Sequence, residues 1–84
     1  MEWISFFEKQ PEDGQDIWYN GPMIGVWSGE YAYSPDDPVS HHIMYCHESF
    51  GVVDRMDAPW WMPDNGEMTR PEKPREPYPK DYLS

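Results

Sequence analysis

Gln15-Asp16-Ile17-Trp18-Tyr19-Asn20-Gly21-Pro22-Met23-Ile24-Gly25-Val26-Trp27 is the stretch whose reading decides the fold. Ile17, Trp18 and Tyr19 favour extended backbone, because branched and aromatic side chains fit a pleated surface. Asn20-Gly21 follows at once, the strongest short hairpin signal, and Pro22 behind it modifies the turn. Met23–Trp27 reads as the return strand, with Ile24 and Val26 on one face and Met23, Gly25 and Trp27 on the other. Ser28-Gly29 reads as a second turn, and Glu30–Tyr33 as a third strand with Tyr31 and Tyr33 on the same side. The expectation is a three-stranded antiparallel meander.

Upstream, Pro11-Glu12-Asp13-Gly14 is a turn: proline presets φ, the acids bond locally and glycine accepts positive φ. Trp3–Phe7 is a short apolar run that either pairs at the sheet edge or forms one helical turn. Downstream, Ser34-Pro35-Asp36-Asp37-Pro38 is a loop, and Asp37-Pro38 also resembles an N-cap with a first helical residue. Val39, Ile43, Cys46 and Phe50 recur as one helical stripe, and Gly51 stands where a C-cap glycine belongs. A helix over residues 38–50 is expected, with a strand over Ile43–Cys46 as the competing reading. Val52-Val53 and Trp60-Trp61-Met62 are short candidate strands, and Pro63-Asp64-Asn65-Gly66 closes the domain. The fold class expected is therefore α+β: a small antiparallel sheet (the three-stranded meander plus one or two short strands), at most one short helix and an extended proline-rich tail.

Charge divides the chain in the same way. Residues 1–66 hold twelve acids and two bases, Lys9 and Arg55, so 2 − 12 = −10. Residues 67–84 hold four acids and four bases and sum to zero. All five tryptophans lie in the first part, a domain 1–66 that is acidic and aromatic. In the tail, Pro71, Pro74, Pro77 and Pro79 point to extended, polyproline-like backbone. It is either a solvated tail or a strap that docks Tyr78, Tyr82 and Leu83.

These features exclude several classes. An 84-residue chain is too short for a typical cofactor-binding α/β enzyme. The single Cys46 forms no internal disulfide. No stretch approaches the ~18 apolar residues of a membrane span, and the start lacks the pattern of a secretory signal. A cytoplasmic protein is expected, with no membrane partner. A charge of −10 repels phosphate, so no direct nucleic-acid binding is expected.

Trp3-Ile4-Ser5, then Pro11-Glu12-Asp13-Gly14-Gln15, then Trp18-Tyr19, and finally Trp61-Met62-Pro63 resemble the two ends of the domain-of-unknown-function family numbered 551. The middle is not matched, and Lys9-Gln10-Pro11 stands where the family has Leu-Pro. The resemblance implies a small phage or prophage protein acting inside the host cell. The family has no established activity and supplies no catalytic residues.

Chemistry-bearing candidates are few. His42 and Cys46 share a face if the segment is helical, and with His47 they form a metal-binding alternative. No recognised zinc spacing, phosphate loop or nucleophile elbow is present, so neither an enzyme nor a cofactor is expected. The favoured reading is a binding protein. Glu12, Asp13, Asp16, Asp36, Asp37, Asp54 and Asp57 are the expected electrostatic contacts, and Trp18, Trp60 and Trp61 the expected anchors. The partner expected is a host or defence protein with a basic surface, inhibited by a nucleic-acid mimic. A homodimeric structural protein is the other alternative.

Overall fold

The computed structural model describes residues 2–37, 41–49, 51–66 and 69–82. They form one antiparallel sheet of six strands, with no helix among the described residues: β1 (Ile4–Ser5), β2 (Asp16–Gly21), β3 (Gly25–Tyr33), β4 (His42–Cys46), β5 (Val52–Asp54) and β6 (Trp60–Pro63). The spatial order is β1-β6-β2-β3-β4-β5. The α+β expectation is thus corrected to an all-strand fold.

The correction falls on the segment read as a helix. His42–Cys46 pairs along β3, Tyr33 opposite His42, Tyr31 opposite Met44 and Gly29 opposite Cys46. Met44 is fully buried and His42 is buried, whereas Tyr45 is exposed. The helical stripe runs through Ile43 and Cys46, whereas His42, Met44 and Cys46 alternate with period two, and packing of Met44 beside Tyr31 decides between the periods. Val39 and Phe50, the two ends of that stripe, lie outside the described residues, as does Pro38 of the expected N-cap. Gly51 is no helix cap: its carbonyl accepts the Cys46 N–H in the loop before β5.

The meander also differs from expectation at Ser28-Gly29. These residues do not turn; they lie inside the nine-residue β3. A Cβ on Gly29 would run into the Tyr45 carbonyl of the neighbouring strand, so glycine serves close approach here. The hairpin expected at Asn20-Gly21 is present, but its central turn residues are Pro22 and Met23, two positions later. The Ile24 N–H donates to the Gly21 carbonyl at 3.2 Å, with Pro22 in the second turn position. Gly25, at φ +83°, turns the chain back. β1 pairs with β6 at the sheet edge, and the backbone then makes one turn closed on the Ser5 carbonyl.

The sheet is strongly curled. β5 and β6 stand four strand positions apart, which in a flat sheet is about 19 Å. Asp57 and Ala58 N–H both donate to the Asp54 carbonyl, so the connection begins with a closed turn. A turn of that kind followed by two extended steps spans only about 13 Å. The sheet must bend to be joined by it. The concave face carries the main core of Phe6, Ile17, Tyr19, Tyr31, Met44, Ala58 and Trp61. Arg55, in the connection, lies over the Phe7 ring at 4.8 Å.

The convex face carries Trp18, Val26 and Met62, with Trp3 packed against them. The proline-rich tail crosses this face. Arg70 donates to the Val26 carbonyl at 2.7 Å, Ser5 Oγ to Asp81 at 2.6 Å, and the Tyr82 hydroxyl to the Met56 carbonyl at 3.0 Å. Tyr82 meets Phe7 edge-on at 5.6 Å, and the Tyr78 ring lies tilted against Tyr82 at 4.6 Å. The tail is a docked strap; Leu83 lies outside the described residues.

Candidate functional site

Antiparallel pairing places most of the expected acidic contacts at one end of the sheet. The turn before β2 holds Glu12 and Asp13, and Gln15 closes it through its Oε1 with the Glu12 N–H at 2.9 Å. Asp13 Oδ1 accepts the Tyr33 N–H at 3.0 Å, which ties this turn to the end of β3. Asp36 and Asp37 follow directly, in the turn closed by Asp37 N–H on the Ser34 carbonyl. Asp16 opens β2 and meets His47 Nε2 at 3.0 Å. Glu12, Asp13, Asp16 and Asp36 are exposed there.

Asp54 and Asp57 do something else. Asp54 Oδ1 accepts the Met56 N–H at 2.8 Å and the Asp57 N–H at 3.3 Å, capping the turn between β5 and β6. Asp57 lies where its carbonyl meets Gly21. Neither joins the acidic end.

The expected tryptophan anchors are internal. Trp18 is 6% exposed and belongs to the convex cluster, and Trp61 is 3% exposed in the concave core. Trp61 Nε1 donates to the Lys9 carbonyl at 2.9 Å. Trp60 is half-buried and donates to the tail. Trp3, which was not among the expected anchors, does the same. The strap solves the problem of consecutive tryptophans facing opposite sides, because it gives the second face a cover.

The metal alternative loses its geometry with the helix. Four residues apart on a strand, His42 and Cys46 are separated by about 13 Å. Each has other partners. The Tyr31 hydroxyl lies 2.6 Å from His42 Nδ1, inside the core. His47 turns to Asp16. Among the described residues no three His, Cys, Asp or Glu side chains converge to hold a metal.

The Tyr31–His42 pair has a defined protonation state. Burial raises the Tyr31 pKa, although the Arg55 charge opposes this, so its hydroxyl stays protonated and donates. Burial, aided by the charges of Arg55 and His41, lowers His42 from 6.5 to about 4. Neutral His42 accepts at Nδ1. The folded pKa is depressed, so the stability it contributes is whole above pH 6.5 and lost as pH falls to about 4. The loss is on the order of 2–3 kcal/mol. Urea unfolding of the native protein and of His42→Gln across this window checks it: the native slope is expected to exceed that of the variant. Equal slopes would remove His42 as the cause.

A second feature absent from the sequence reading is a pocket of about 320 Å³ between the β2–β3 hairpin and the β4–β5 loop. Tyr19, Ile24, Trp27, Cys46, Ser49, Gly51 and Val53 line it. Burial pushes the Cys46 thiol up. Hydrogen bonds from the Tyr19 hydroxyl, the Glu48 amide and the Ser49 hydroxyl and amide outweigh that and hold it below its ordinary value. These partners are donors; neither described neighbour His42 nor His47 is turned toward the sulfur as a base. Period-two alternation of His42, Met44 and Cys46 is the signal that could have placed this thiol beside Tyr19.

Comparison with known protein families, with curated proteins and with solved structures finds no match.

Proposed function

We propose that the chain is a small acidic binding protein of phage type, which occupies a basic surface on a host or defence protein and blocks it as a mimic of nucleic-acid phosphate. The observation that carries this is the exposed carboxylate end formed by Glu12, Asp13, Asp16 and Asp36. Asp16 pairs with His47 and Glu48 with Arg70, and the domain's twelve acids face only two lysine or arginine residues of its own. Negative charge is therefore left for a partner, where it steers association and selects a basic face. The phage assignment and the inhibitory role rest on the resemblance of the chain's Trp3-Ile4-Ser5 and Trp61-Met62-Pro63 ends. With the tryptophans internal, the contact is electrostatic rather than anchored by indoles.

Capture from a bacterial lysate tests the reading. A basic partner is expected at low salt, with recovery down roughly ten-fold at about 0.5 M salt. The combined variant Glu12→Gln, Asp13→Asn, Asp36→Asn is expected to lose it while keeping the native fold. Recovery indifferent to salt and to these substitutions would sink the proposal.

A further inference from the structure

Two indole N–H groups and a proline-spaced backbone meet on the convex face. Trp3 Nε1 donates to the Glu72 carbonyl at 2.8 Å, and Trp60 Nε1 to the Glu76 carbonyl at 2.9 Å. Pro74 lies between those carbonyls in sequence, half-buried, and borders a hollow with Trp3 and Trp60. Pro71, Pro74 and Pro77 recur every third residue, the spacing of a polyproline II turn; residues 71–74 run without turn or bend, and the chain bends over 75–78. That backbone makes no internal hydrogen bonds, so its carbonyls are open to donors. Aromatic-lined grooves read such P-x-x-P segments.

Glu2, Trp3 and Trp60 form one side of the hollow, and Pro74, Arg75 and Glu76 of the strap form the other. Trp18 and Met62 lie buried in the same face with Trp3 packed against them, whereas Glu72, Lys73, Arg75, Glu76 and Pro77 of the strap are exposed. Residues 70–82 carry Arg70, Lys73, Arg75 and Lys80 against Glu72, Glu76 and Asp81, so 4 − 3 = +1, over a domain of charge −10. Arg70 shows how a cation is held at one end. Its guanidinium lies 5.0 Å from the centre of the Trp27 ring, donates to the Val26 carbonyl and pairs with Glu48 at 3.3 Å.

We propose that the Trp3/Trp60 groove is a receptor for a basic, proline-rich segment of P-x-x-P spacing on another protein, and that residues 70–82 are its resident competitor. The strap shows the chemistry the groove accepts: carbonyls for the two indoles, a proline between them and an arginine at the flank. Its hydrogen bonds to Trp3, Trp60 and Glu48 lie at the exposed surface, so a ligand matching the same points exchanges with it. The site is separate from the acidic end and does not need that end to bind anything.

The test uses the full chain, 15N-labelled, and a synthetic peptide of residues 70–82 as the probe. The Trp3 and Trp60 indole N–H signals are expected to shift saturably, and that of Trp61 to stay in place. The strap lowers apparent affinity by keeping the groove occupied. Arg70→Ala in the protein, or Pro74→Ala as a second variant, is therefore expected to raise peptide affinity about five-fold. Trp60→Phe keeps a ring but loses the N–H, and is expected to weaken binding about five-fold. A peptide with Pro71, Pro74 and Pro77 replaced by alanine is expected not to bind. The proposal is overturned by unshifted indoles at millimolar peptide in the Arg70→Ala protein, or by equal binding of the proline-free peptide. It is equally overturned by a concentration-dependent dimer that exchanges straps and ignores the peptide. None of these results alters the salt-sensitive capture expected of the acidic end.

Discussion

Trp61→Ala is expected to destabilise the protein by about 3–5 kcal/mol, a large share of its total stability. The side chain is buried at the centre of the concave core, its ring 6.1 Å from that of Phe6. Truncating a buried tryptophan costs about 3–5 kcal/mol, counting both lost contacts and the cavity. The Lys9 carbonyl also loses its donor. A domain of this size has a total stability of only about 4–13 kcal/mol. Near-ultraviolet circular dichroism and urea unfolding measure the effect directly. A surface anchor would behave otherwise, keeping its unfolding midpoint and losing only partner affinity. Trp61→Phe separates the two, because it keeps ring contact and gives up the hydrogen bond at about 1 kcal/mol.

Gly21→Ala is expected to destabilise by about 3 kcal/mol or more, at the upper end of overpacking costs. A Cβ there would overlap the Asp57 carbonyl oxygen and come within 3.2 Å of Ile24 Cγ1. The obstacle is backbone, so no rotamer change relieves it. Gly14→Ala is the comparison. Nothing lies within 4 Å of its Cβ, and only its φ of +84° is penalised, at roughly 1–2 kcal/mol. Chemical denaturation of the two variants should rank Gly21→Ala as the worse. The reverse order would mean that the β5–β6 connection does not press on the end of β2.

Gly21 also shows what the sequence made legible and where it misled. Asn20-Gly21 signals a hairpin, and a hairpin is there; yet the left-handed residue is Gly25, and Gly21 is needed for room. Strands carried by local preference were readable: Ile17-Trp18-Tyr19, Val52-Val53 and Trp60-Trp61-Met62 all pair. His42–Cys46 was not, because its two periodicities compete and the outcome depends on Tyr31, eleven to fifteen residues upstream. The place of β6 between β1 and β2 depends on pairing across more than forty residues, which no local pattern encodes.

The candidate site was legible in kind and not in arrangement. A charge count identifies the acids, but Asp13 and Asp36 share an end only because β3 ends beside the turn before β2. Asp54 is spent on capping a turn, which its place before Arg55-Met56-Asp57 does not announce. Trp18, Trp60 and Trp61 read as anchors because consecutive residues of a strand face opposite sides of a single sheet. The tail covers with backbone carbonyls and proline rings instead.

That cover sets the order in which the chain can fold. Ile4 waits for Trp61, Trp3 for Glu72, and Ser5 for Asp81, 76 residues away. Contacts of such span delay the folding nucleus, since the loop must close before the contact rewards it. During synthesis the first strand therefore leaves the ribosome without a partner, and the tryptophans of the convex face stay wet until the prolines emerge. Hydrophobic rings exposed at that stage are a ready target for chaperones, and the acidic residues between them keep nascent chains apart by mutual repulsion.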